Sequence, residues 1–316
     1  MARLVITSRL PDAALVVLEG CGHDVDYRDD ATPMTRAALL EAASHSEALV
    51  TSLADRIDDE VFERAPDLKV VANVAVGLDN IDLEAAARHG VAVCNTPGVL
   101  DASTADVAMF LMLAARRRTT EREDELREGR WQGWGVAENL ALDLSGATLG
   151  LVGYGRIAQA VAQRARAFDM TVLHHTRHDT GEPGWTGSLI EMAAEVDVLS
   201  IHVPLSETTR GLVSRGVLAA MRPSAIVINT ARGAVLDEDA LVDALEAGRL
   251  FGAGLDVYQG EPAFNPRLLT APNAVLLPHI GSATLGTRQA MSELALRGAL
   301  SVLAGERPSN LVAPPA

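Results

Sequence analysis

The chain has 316 residues, which is enough for two domains of ordinary size. Its formal net charge of −15 disfavours binding to nucleic acid or to an anionic membrane surface, so an anionic ligand must be captured by a local group of positive charges. Aromatic residues make up only 3% of the chain, and we therefore expect cores built from Ala, Val, Leu and Ile.

The cysteines and the first residues indicate a compartment. Cys21 and Cys94 have no spacing typical of metal or redox chemistry, so we expect two buried, reduced thiols and no metal site. Residues 3–7 predict a strand and lack the long apolar core of a signal peptide, and no apolar run reaches membrane-spanning length. We expect a cytoplasmic protein.

In the first hundred residues, predicted strands and helices alternate, which is typical of a parallel sheet with helices on both faces. The predicted strands are residues 3–7, 23–27, 48–51, 69–73 and 91–94, and the predicted helices are residues 11–19, 35–44, 58–65 and 83–89. The segment Asn95-Thr-Pro-Gly98 then breaks the pattern, because Pro and Gly redirect the chain.

A long helix is predicted over residues 104–117, with Asp101 or Ser103 as its cap. Its predicted apolar face consists of Val107, Ala108, Phe110, Leu111 and Leu113. A second α/β series follows, with predicted strands at residues 148–152, 171–174, 198–201, 225–229, 252–255 and 275–277. A last helix over residues 287–304 leads to a tail that most simply returns to the first domain. The pattern predicts two α/β domains, residues 1–98 completed by 285–316, and residues 99–284.

A glycine-rich turn lies at the start of the second series, in Gly150-Leu-Val-Gly-Tyr-Gly-Arg-Ile-Ala158. It follows a predicted strand and opens a predicted helix, residues 157–168, which is the context of a dinucleotide-binding turn. Gly153 allows the tight turn and Gly155 lets the backbone approach a pyrophosphate. The helix N-terminus presents free N–H groups to the phosphates.

Three polar residues follow three successive strands of this series. Arg232 follows the strand at 225–229, Glu261 the strand at 252–255 and His279 the strand at 275–277. Ligands of open α/β sheets bind outside the carboxyl ends of the strands, so we expect these side chains to converge on one crevice. Taken singly, each has an ordinary explanation as a surface, turn or packing residue, and only the combination with the glycine turn favours a redox site.

These motifs, in this order, resemble the D-isomer-specific 2-hydroxyacid dehydrogenases, and the likeness covers nearly the whole chain. The segments that carry it are Asn73-Val-Ala-Val-Gly-Leu-Asp-Asn-Ile-Asp82, Asn95-Thr-Pro-Gly98, Ser103-Thr-Ala-Asp106, Gly150 to Ile157, His202-Val-Pro-Leu205, Asn229-Thr-Ala-Arg-Gly233, Gly254-Leu-Asp-Val257 and Pro278-His-Ile-Gly-Ser-Ala283. Within the family, the first and last segments look most like glyoxylate and hydroxypyruvate reductases. The resemblance implies two doubly wound parallel-sheet domains of the Rossmann and flavodoxin-like kind, with the active site in the cleft between them.

The resemblance also implies roles. The first domain would bind a small 2-oxo acid and the second NAD(P)H. His279, kept protonated by Glu261, would give a proton to the C2 oxygen as hydride arrives, and Arg232 would bind the substrate carboxylate. Backbone N–H groups of Val76 and Gly77 would hold that carboxylate from the first domain. Leu53 is expected as an apolar wall beside the substrate, and Ser282 as a further contact.

Cofactor contacts implied by the resemblance extend along the second domain. Asp256 would accept a hydrogen bond from the nicotinamide carboxamide, and His202 either contacts the adenosine or only packs at a strand end. The other implied contacts are Thr104, Gly153, Gly155, Arg156, Ile157, Val203, Pro204, Thr209 and Thr230. The family implies a homodimer, in which Trp134 is a candidate to reach the neighbouring subunit's active site, although packing is the simpler role for Trp131 and Trp134.

Cofactor choice is where this chain departs from the common pattern of the family. Many members have an Asp about twenty residues past the glycine turn, where this chain has Thr176, followed by Arg177 and His178. Loss of the carboxylate removes repulsion against a 2′-phosphate, and Arg177 can pair with that phosphate. We therefore expect preference for NADP(H), with NAD(H) as a possible second cofactor.

Two alternatives stay open. Within the family, a short-form phosphoglycerate dehydrogenase or another 2-hydroxyacid dehydrogenase is also consistent with the sequence, because we expect the chain to lack a C-terminal regulatory extension. From a different class, some proteins of this fold are NAD(H)-sensing transcriptional corepressors, an interpretation that the acidic charge and the presence of Arg232, Glu261 and His279 disfavour.

Overall fold

The computed structural model describes residues 1–312, which form two compact units. Unit 1 consists of Met1–Leu100 and the C-terminal segment that begins at Ser282, and unit 2 is Asp101–Gly281. The two units divide at 100/101 and 281/282, a few residues from the predicted 98/99 and 284/285, and helix α5 begins at the first of these divisions. Residues 313–316 of the predicted C-terminal segment lie outside the described residues.

Strands and helices alternate through most of the described chain. The strands are β1 (Arg3–Ile6), β2 (Asp24–Tyr27), β3 (Ala48–Thr51), β4 (Val70–Asn73), β5 (Ala92–Cys94), β6 (Thr148–Val152), β7 (Thr171–His175), β8 (Trp185–Thr186), β9 (Val198–Ile201), β10 (Ile226–Asn229), β11 (Gly252–Leu255) and β12 (Ala274–Leu276). The helices are α1 (Asp12–Leu15), α2 (Arg36–Ser44), α3 (Asp59–Arg64), α4 (Leu83–Arg88), α5 (Asp101–Arg117), α6 (Thr119–Arg127), α7 (Arg156–Ala167), α8 (Leu189–Glu195), α9 (Arg215–Ala220), α10 (Glu238–Glu246) and α11 (Leu285–Leu303).

Unit 1 contains a parallel sheet in the order β2-β1-β3-β4-β5. Successive side chains of a strand point to opposite faces, and both faces are covered. Leu49 and Val71 pack with α2, α3 and α4 on one face, whereas Ala48 and Val70 pack with the C-terminal helix α11 on the other. The central strands β3 and β4 are fully buried, as expected for a parallel sheet covered on both sides, whereas the edge strand β2 alternates acidic residues with Val25 and Tyr27.

Unit 2 contains a larger parallel sheet in the order β12-β11-β10-β9-β6-β7-β8. Helices α5 and α7 pack on Leu149 and Ile226 of one face, and α8, α9 and α10 pack on Leu199 and Val227 of the other. Strand order turns back at β6, between β9 and β7. The predicted fold class, two α/β parallel-sheet domains, is confirmed.

The prediction for helix α5 was wrong in its start and in its buried face. Asp101 and Ser103 lie inside the helix, so neither is its cap. Phe110 and Leu113 of the predicted apolar face are 52% and 37% exposed, and Met109 and Met112 are buried instead. The buried stripe is the one that packs on α7 and the sheet, where Ala and Met allow close approach.

Other differences between the predicted and observed elements have simple physical reasons. Helix α6 has no buried residue and is built from charged side chains, so it carries no apolar periodicity. Strand β8 has only two residues and lies at the sheet edge. The predicted helix at 11–19 is a single α-helical turn followed by a 3₁₀ turn, Val16–Leu18.

The cysteines are free, as expected, but only Cys94 is buried; Cys21 is partly exposed, so its predicted burial was wrong. None of the helices in residues 1–312 is both long and apolar enough to cross a membrane.

Gly254 in β11 gives a test of the packing between α5 and the sheet. A Cβ at this position would lie 2.8 Å from Leu111 Cβ and 2.9 Å from Ile228 Cδ1, so Gly254→Ala forces the core apart. We expect the substitution to lower the free energy of unfolding by about 1–3 kcal/mol, the usual cost of overpacking, measured by urea denaturation. Gly216→Ala is the matched control, because a Cβ there meets only Ser214 Oγ at 3.7 Å. Equal effects of the two substitutions would contradict this account of the packing.

Candidate functional site

His279 and Glu261 form a hydrogen-bonded pair beyond the carboxyl ends of β12 and β11. Nδ1 of His279 lies 2.8 Å from Glu261 Oε2, and both side chains are about one-third exposed. The two strands are neighbours in a parallel sheet, so their carboxyl ends meet at the same edge. The structure thus brings together two of the three residues predicted to converge.

The turn that carries His279 has a backbone conformation that few side chains adopt. His279 has φ of 55°, in the left-handed region. The buried carboxylate of Asp256, 1% exposed, holds this turn by accepting the backbone N–H groups of Ile280 and Gly281, each at 2.7 Å. Burial raises the pKa of Asp256, against the opposing effect of these two hydrogen bonds. Both Asp256 oxygens are thus used within the protein, and the expected contact with a nicotinamide amide stays a prediction.

Tyr258 is a residue of the site that sequence reasoning missed. Its backbone N–H donates to Glu261 Oε1 over 2.7 Å, and its hydroxyl donates to the carbonyl oxygen of Leu277 over 2.8 Å. One residue therefore contacts Glu261 directly and also the strand end just before His279. The only signal in the sequence was an aromatic residue between Asp256 and Glu261.

The charge state of Glu261 follows from its surroundings. Burial acts to raise its pKa, but the hydrogen bond with His279, the Tyr258 N–H and the nearby positive charges of His279 and Arg232 together lower it below the ordinary value. The carboxylate is therefore ionised at neutral pH and gives His279 an anionic partner.

Arg232 follows β10, which is the neighbour of β11 in the sheet. The buried amide of Asn229 shapes the turn by donating to the Arg232 carbonyl over 2.9 Å. The next residue, Gly233, lies against the peptide between Tyr258 and Gln259: a Cβ there would be 1.9 Å from the Tyr258 carbonyl carbon. The turn of Arg232 is thus packed directly on the segment that leads to Glu261.

The glycine turn between β6 and α7 uses its two glycines differently. Gly153 has φ of 95°, and a Cβ on it would lie 2.8 Å from the His202 carbonyl oxygen and 2.8 Å from Val203 Cγ1. A Cβ on Gly155 would meet nothing within 4 Å. Gly155 caps α7, so Arg156 and Ile157 open the helix with N–H groups that have no partner inside it. The open space at a helix N-terminus fits a dinucleotide pyrophosphate.

Beyond β7, the side chain of Thr176 is used within its own turn. Its hydroxyl donates to the His178 carbonyl over 2.6 Å and accepts the indole N–H of Trp185 over 3.1 Å. Arg177 and His178 are exposed, and the Arg177 guanidinium has no hydrogen bond or ion pair within residues 1–312. A positive group without a protein partner thus lies where the resemblance expects the adenosine ribose.

The remaining residues predicted to contact a cofactor differ in what their polar atoms do. His202 Nε2 lies 2.8 Å from Ser200 Oγ, and burial lowers the pKa of His202 to about 4, so the ring is neutral at pH 7. The hydroxyl of Thr209 donates to the carbonyl of Pro204 over 2.6 Å. The hydroxyl of Thr230 is buried and has no hydrogen-bond partner in the described part of the chain. Thr104 is buried.

Apart from Arg232, the residues predicted to contact the substrate lie in unit 1. Leu53 follows β3, and Val76 and Gly77 follow the neighbouring strand β4. The carbonyl of Gly77 accepts from Asn73 Nδ2 over 3.0 Å, but within residues 1–312 the backbone N–H groups of Val76 and Gly77 donate to no acceptor. Ser282 opens the C-terminal segment of this unit. No group of three or more His, Cys, Asp and Glu side chains suited to a metal ion occurs among the described residues.

Comparison with known proteins gives matches over most of the chain. Residues 109–281 match the family model described as D-isomer specific 2-hydroxyacid dehydrogenase, NAD binding domain. A glyoxylate reductase of Thermococcus litoralis is 41% identical over 98% of this chain and 96% of its own length. The solved structure of a protein from Thermus thermophilus is 46% identical, with a TM-score of 0.93 over 98% of this chain and 100% of its own. An NADPH-dependent glyoxylate/hydroxypyruvate reductase of Sinorhizobium meliloti, solved with NADP and malonate, is 34% identical, with a TM-score of 0.86 over 99% and 97% of the two chains.

The two glycines of the turn give matched variants with opposite expected effects. Gly153→Ala places a Cβ against the His202 carbonyl in a left-handed conformation, so we expect a loss of about 1–3 kcal/mol in the free energy of unfolding. Gly155→Ala should cost less than about 1 kcal/mol, because its Cβ enters open space at a helix cap. That same Cβ should weaken NADPH binding by about tenfold or more, because it fills the approach to the pyrophosphate. Urea denaturation and titration calorimetry measure the two effects, and an unchanged NADPH affinity in Gly155→Ala would contradict the assignment.

Proposed function

Because the chain belongs to the D-isomer-specific 2-hydroxyacid dehydrogenase family and is an NAD(P)-dependent oxidoreductase, we propose that it reduces glyoxylate and hydroxypyruvate to glycolate and D-glycerate. The observation that carries this proposal is the 2.8 Å pair of His279 and Glu261 beyond the strand ends, beside the turn of Arg232. The pair favours an enzyme over a corepressor-like binding protein, because it suits proton transfer. The names of the relatives, glyoxylate reductase and glyoxylate/hydroxypyruvate reductase, support the choice of substrates.

In the proposed reaction, side chains of the protein donate the proton and bind the substrate carboxylate. When bound, NAD(P)H supplies a hydride to the C2 carbon of the 2-oxo acid. His279 uses Nδ1 to bond the ionised Glu261, which leaves Nε2 to donate a proton to the C2 oxygen as negative charge develops there. Arg232 binds the substrate carboxylate through its planar fork of donors. Glu261 keeps the imidazolium oriented before the transfer.

Substrate contacts from unit 1 complete the proposal. The unused N–H groups of Val76 and Gly77 are suited to a carboxylate, and Leu53 and Ser282 are assigned as an apolar wall and a polar contact. In this assignment residues 1–98, completed by 285–316, form the substrate domain, and residues 99–284 form the dinucleotide domain.

The cofactor that we propose is NADP(H) in preference to NAD(H). The open approach at Gly155, the N-terminus of α7 and the orphaned hydroxyl of Thr230 all suit a dinucleotide. The unpaired Arg177 and the absence of a carboxylate at Thr176 favour a 2′-phosphate. The other contacts assigned to the cofactor are Thr104, Gly153, Arg156, Ile157, His202, Val203, Pro204, Thr209 and Asp256.

We also propose a homodimer. Exposed apolar side chains on α5 and on the segment after α6 support it, because such residues are usually covered in an assembly. They are Phe110, Leu113, Trp131, Trp134, Val136 and Leu140. Sedimentation of the purified protein tests this, and a monomer at micromolar concentration would contradict it. The role of Trp134 at a neighbouring active site and the cytoplasmic location stay predictions.

Turnover assays test the proposed reaction. The purified protein should oxidise NADPH, followed at 340 nm, when glyoxylate or hydroxypyruvate is added, and chromatography should identify glycolate or D-glycerate as product. 3-Phosphohydroxypyruvate is the matched comparison, since a phosphoglycerate dehydrogenase reduces it preferentially. Turnover of neither glyoxylate nor hydroxypyruvate with NADPH or NADH would refute the proposal.

Variants of the charged pair test the proton donor. His279→Gln should lower kcat by about 10²–10⁴, the usual contribution of a positioned general acid. Glu261→Gln removes the anionic hydrogen-bond partner of His279, so the pH profile of reduction should shift toward acid. Because the pKa of Glu261 is lowered, its carboxylate stays ionised as the pH falls below neutral. The wild-type pair is lost on the acid side only when this carboxylate is protonated. A pH profile identical to that of wild type would exclude the pairing.

Variants of the β7 turn test the cofactor preference. Arg177→Ala should raise KM for NADPH by about ten- to a hundredfold, the value of a charge-assisted contact, with a much smaller effect on NADH. Adding Thr176→Asp supplies an acceptor for the ribose hydroxyls and repels the 2′-phosphate, so the double variant should prefer NADH. Values of kcat at saturating cofactor should change little. Equal losses with both cofactors in Arg177→Ala would mean that Arg177 supports the loop instead of binding the phosphate.

A further inference from the structure

The turn that follows β7 is held at both ends by side chains of the sheet edge. At its start, the indole N–H of Trp185, in β8, donates to Thr176 Oγ1 over 3.1 Å. Near its end, His174 Nε2 lies 2.7 Å from Thr180 Oγ1, and the His174 ring stacks on Tyr154 of the glycine turn at 3.9 Å between centroids. The turn is therefore tied to the strand on one side and to the glycine turn on the other.

The direction of the hydrogen bonds at Thr176 is determined by chemistry. An indole N–H can only donate, so the Thr176 hydroxyl accepts from Trp185 and its single hydrogen goes to the His178 carbonyl, 2.6 Å away. Two bonds that run in the same direction through one hydroxyl strengthen each other. Removal of the indole N–H frees the hydroxyl to rotate and weakens its hold on the His178 carbonyl.

Arg177 lies between the two residues joined by that hydrogen bond. Its side chain is exposed and has no protein partner within residues 1–312, although Asp179 is close in sequence. The Asp179 carboxylate accepts instead from the Gly181 N–H over 2.8 Å. A guanidinium binds a phosphate well only when its backbone is already in place, because ordering a loop on binding costs affinity.

Strand β8 places the indole where this bond is possible. Trp185 is paired with His174 of β7 in the parallel register, and Gly187 leaves space for the ring, since a Cβ there would lie 3.3 Å from Trp185 Cη2. We propose that Trp185 is a positioning residue for cofactor choice, which acts through the Thr176 hydroxyl to hold the 176–178 turn ready for the 2′-phosphate of NADP(H). This inference rests on the proposed preference for NADP(H).

Titration calorimetry with NADP⁺ and NAD⁺ tests the inference without any need for turnover. Trp185→Phe keeps the aromatic ring and removes the N–H, so the dissociation constant of NADP⁺ should rise about three- to tenfold, the value of one neutral hydrogen bond. The dissociation constant of NAD⁺ should change less than about twofold, because its ribose carries no phosphate. Trp131→Phe is the matched control, since Trp131 is 52% exposed, is assigned no contact with substrate or cofactor and has no hydrogen bond in the described chain, and it should change neither constant.

A double-mutant cycle with Thr176→Val separates positioning from general support of the fold. Thr176→Val alone should weaken NADP⁺ binding as Trp185→Phe does, whereas Thr176→Ser should bind NADP⁺ as the wild type does. When Trp185→Phe is added to Thr176→Val, the dissociation constant of NADP⁺ should rise by less than about a further 1.5-fold. If Trp185→Phe does not fold, the comparison of Thr176→Val with Thr176→Ser tests whether the Thr176 hydroxyl, through which Trp185 acts, holds the turn for NADP⁺. Additive effects, or equal effects on both cofactors, would overturn the role of Trp185. A wild type that binds NAD⁺ as tightly as NADP⁺ would overturn the cofactor preference and this inference together, whereas failure to reduce glyoxylate would overturn only the proposed reaction.

Discussion

The site depends on one buried carboxylate, that of Asp256. Its two oxygens accept the N–H groups of Ile280 and Gly281 and so hold His279 in a left-handed backbone conformation that costs free energy in isolation. Because these two hydrogen bonds fix the turn, the His279 imidazole points at Glu261 before any ligand binds. A histidine on a freely moving loop would have to be ordered during each reaction cycle, and the pairing with Glu261 would be weaker.

Glycines next to the functional residues allow the backbone of three strand ends to come close enough for this arrangement. Gly233 lets the turn of Arg232 lie on the Tyr258–Gln259 peptide, and Tyr258 in turn contacts Glu261 and the end of the strand that precedes His279. The same principle operates at Gly153, where the cofactor turn approaches the His202 carbonyl. A Cβ at Gly233 or Gly153 would therefore displace backbone next to the predicted site residues.

Much of the fold could be predicted because its signals are local. Strands such as β3 and β9 are continuous apolar runs buried on both faces, and the turn chemistry at Asn95-Thr-Pro-Gly98 is unmistakable. The predictions failed where the signal was not local. Helix α6 has no buried residue, and β8 is too short to show a periodic pattern. The buried side of α5 depends on the elements that pack against it, so Met109 and Met112 are buried while Phe110 is exposed.

By itself, the sequence determined which chemical groups stand at which strand ends: Arg232, Glu261 and His279 in the second series and the glycine turn before α7. It could do so because parallel strands present their carboxyl ends at one edge, whatever the details of packing. The tertiary structure alone decided that Asp256 holds the His279 turn, that Tyr258 joins Glu261 to the neighbouring strand, and that Trp185 is bonded to Thr176. These contacts depend on strand register and turn geometry, because a hydrogen bond tolerates a change of only about a few tenths of an ångström in its donor–acceptor distance, and the pattern of residue types does not encode that geometry.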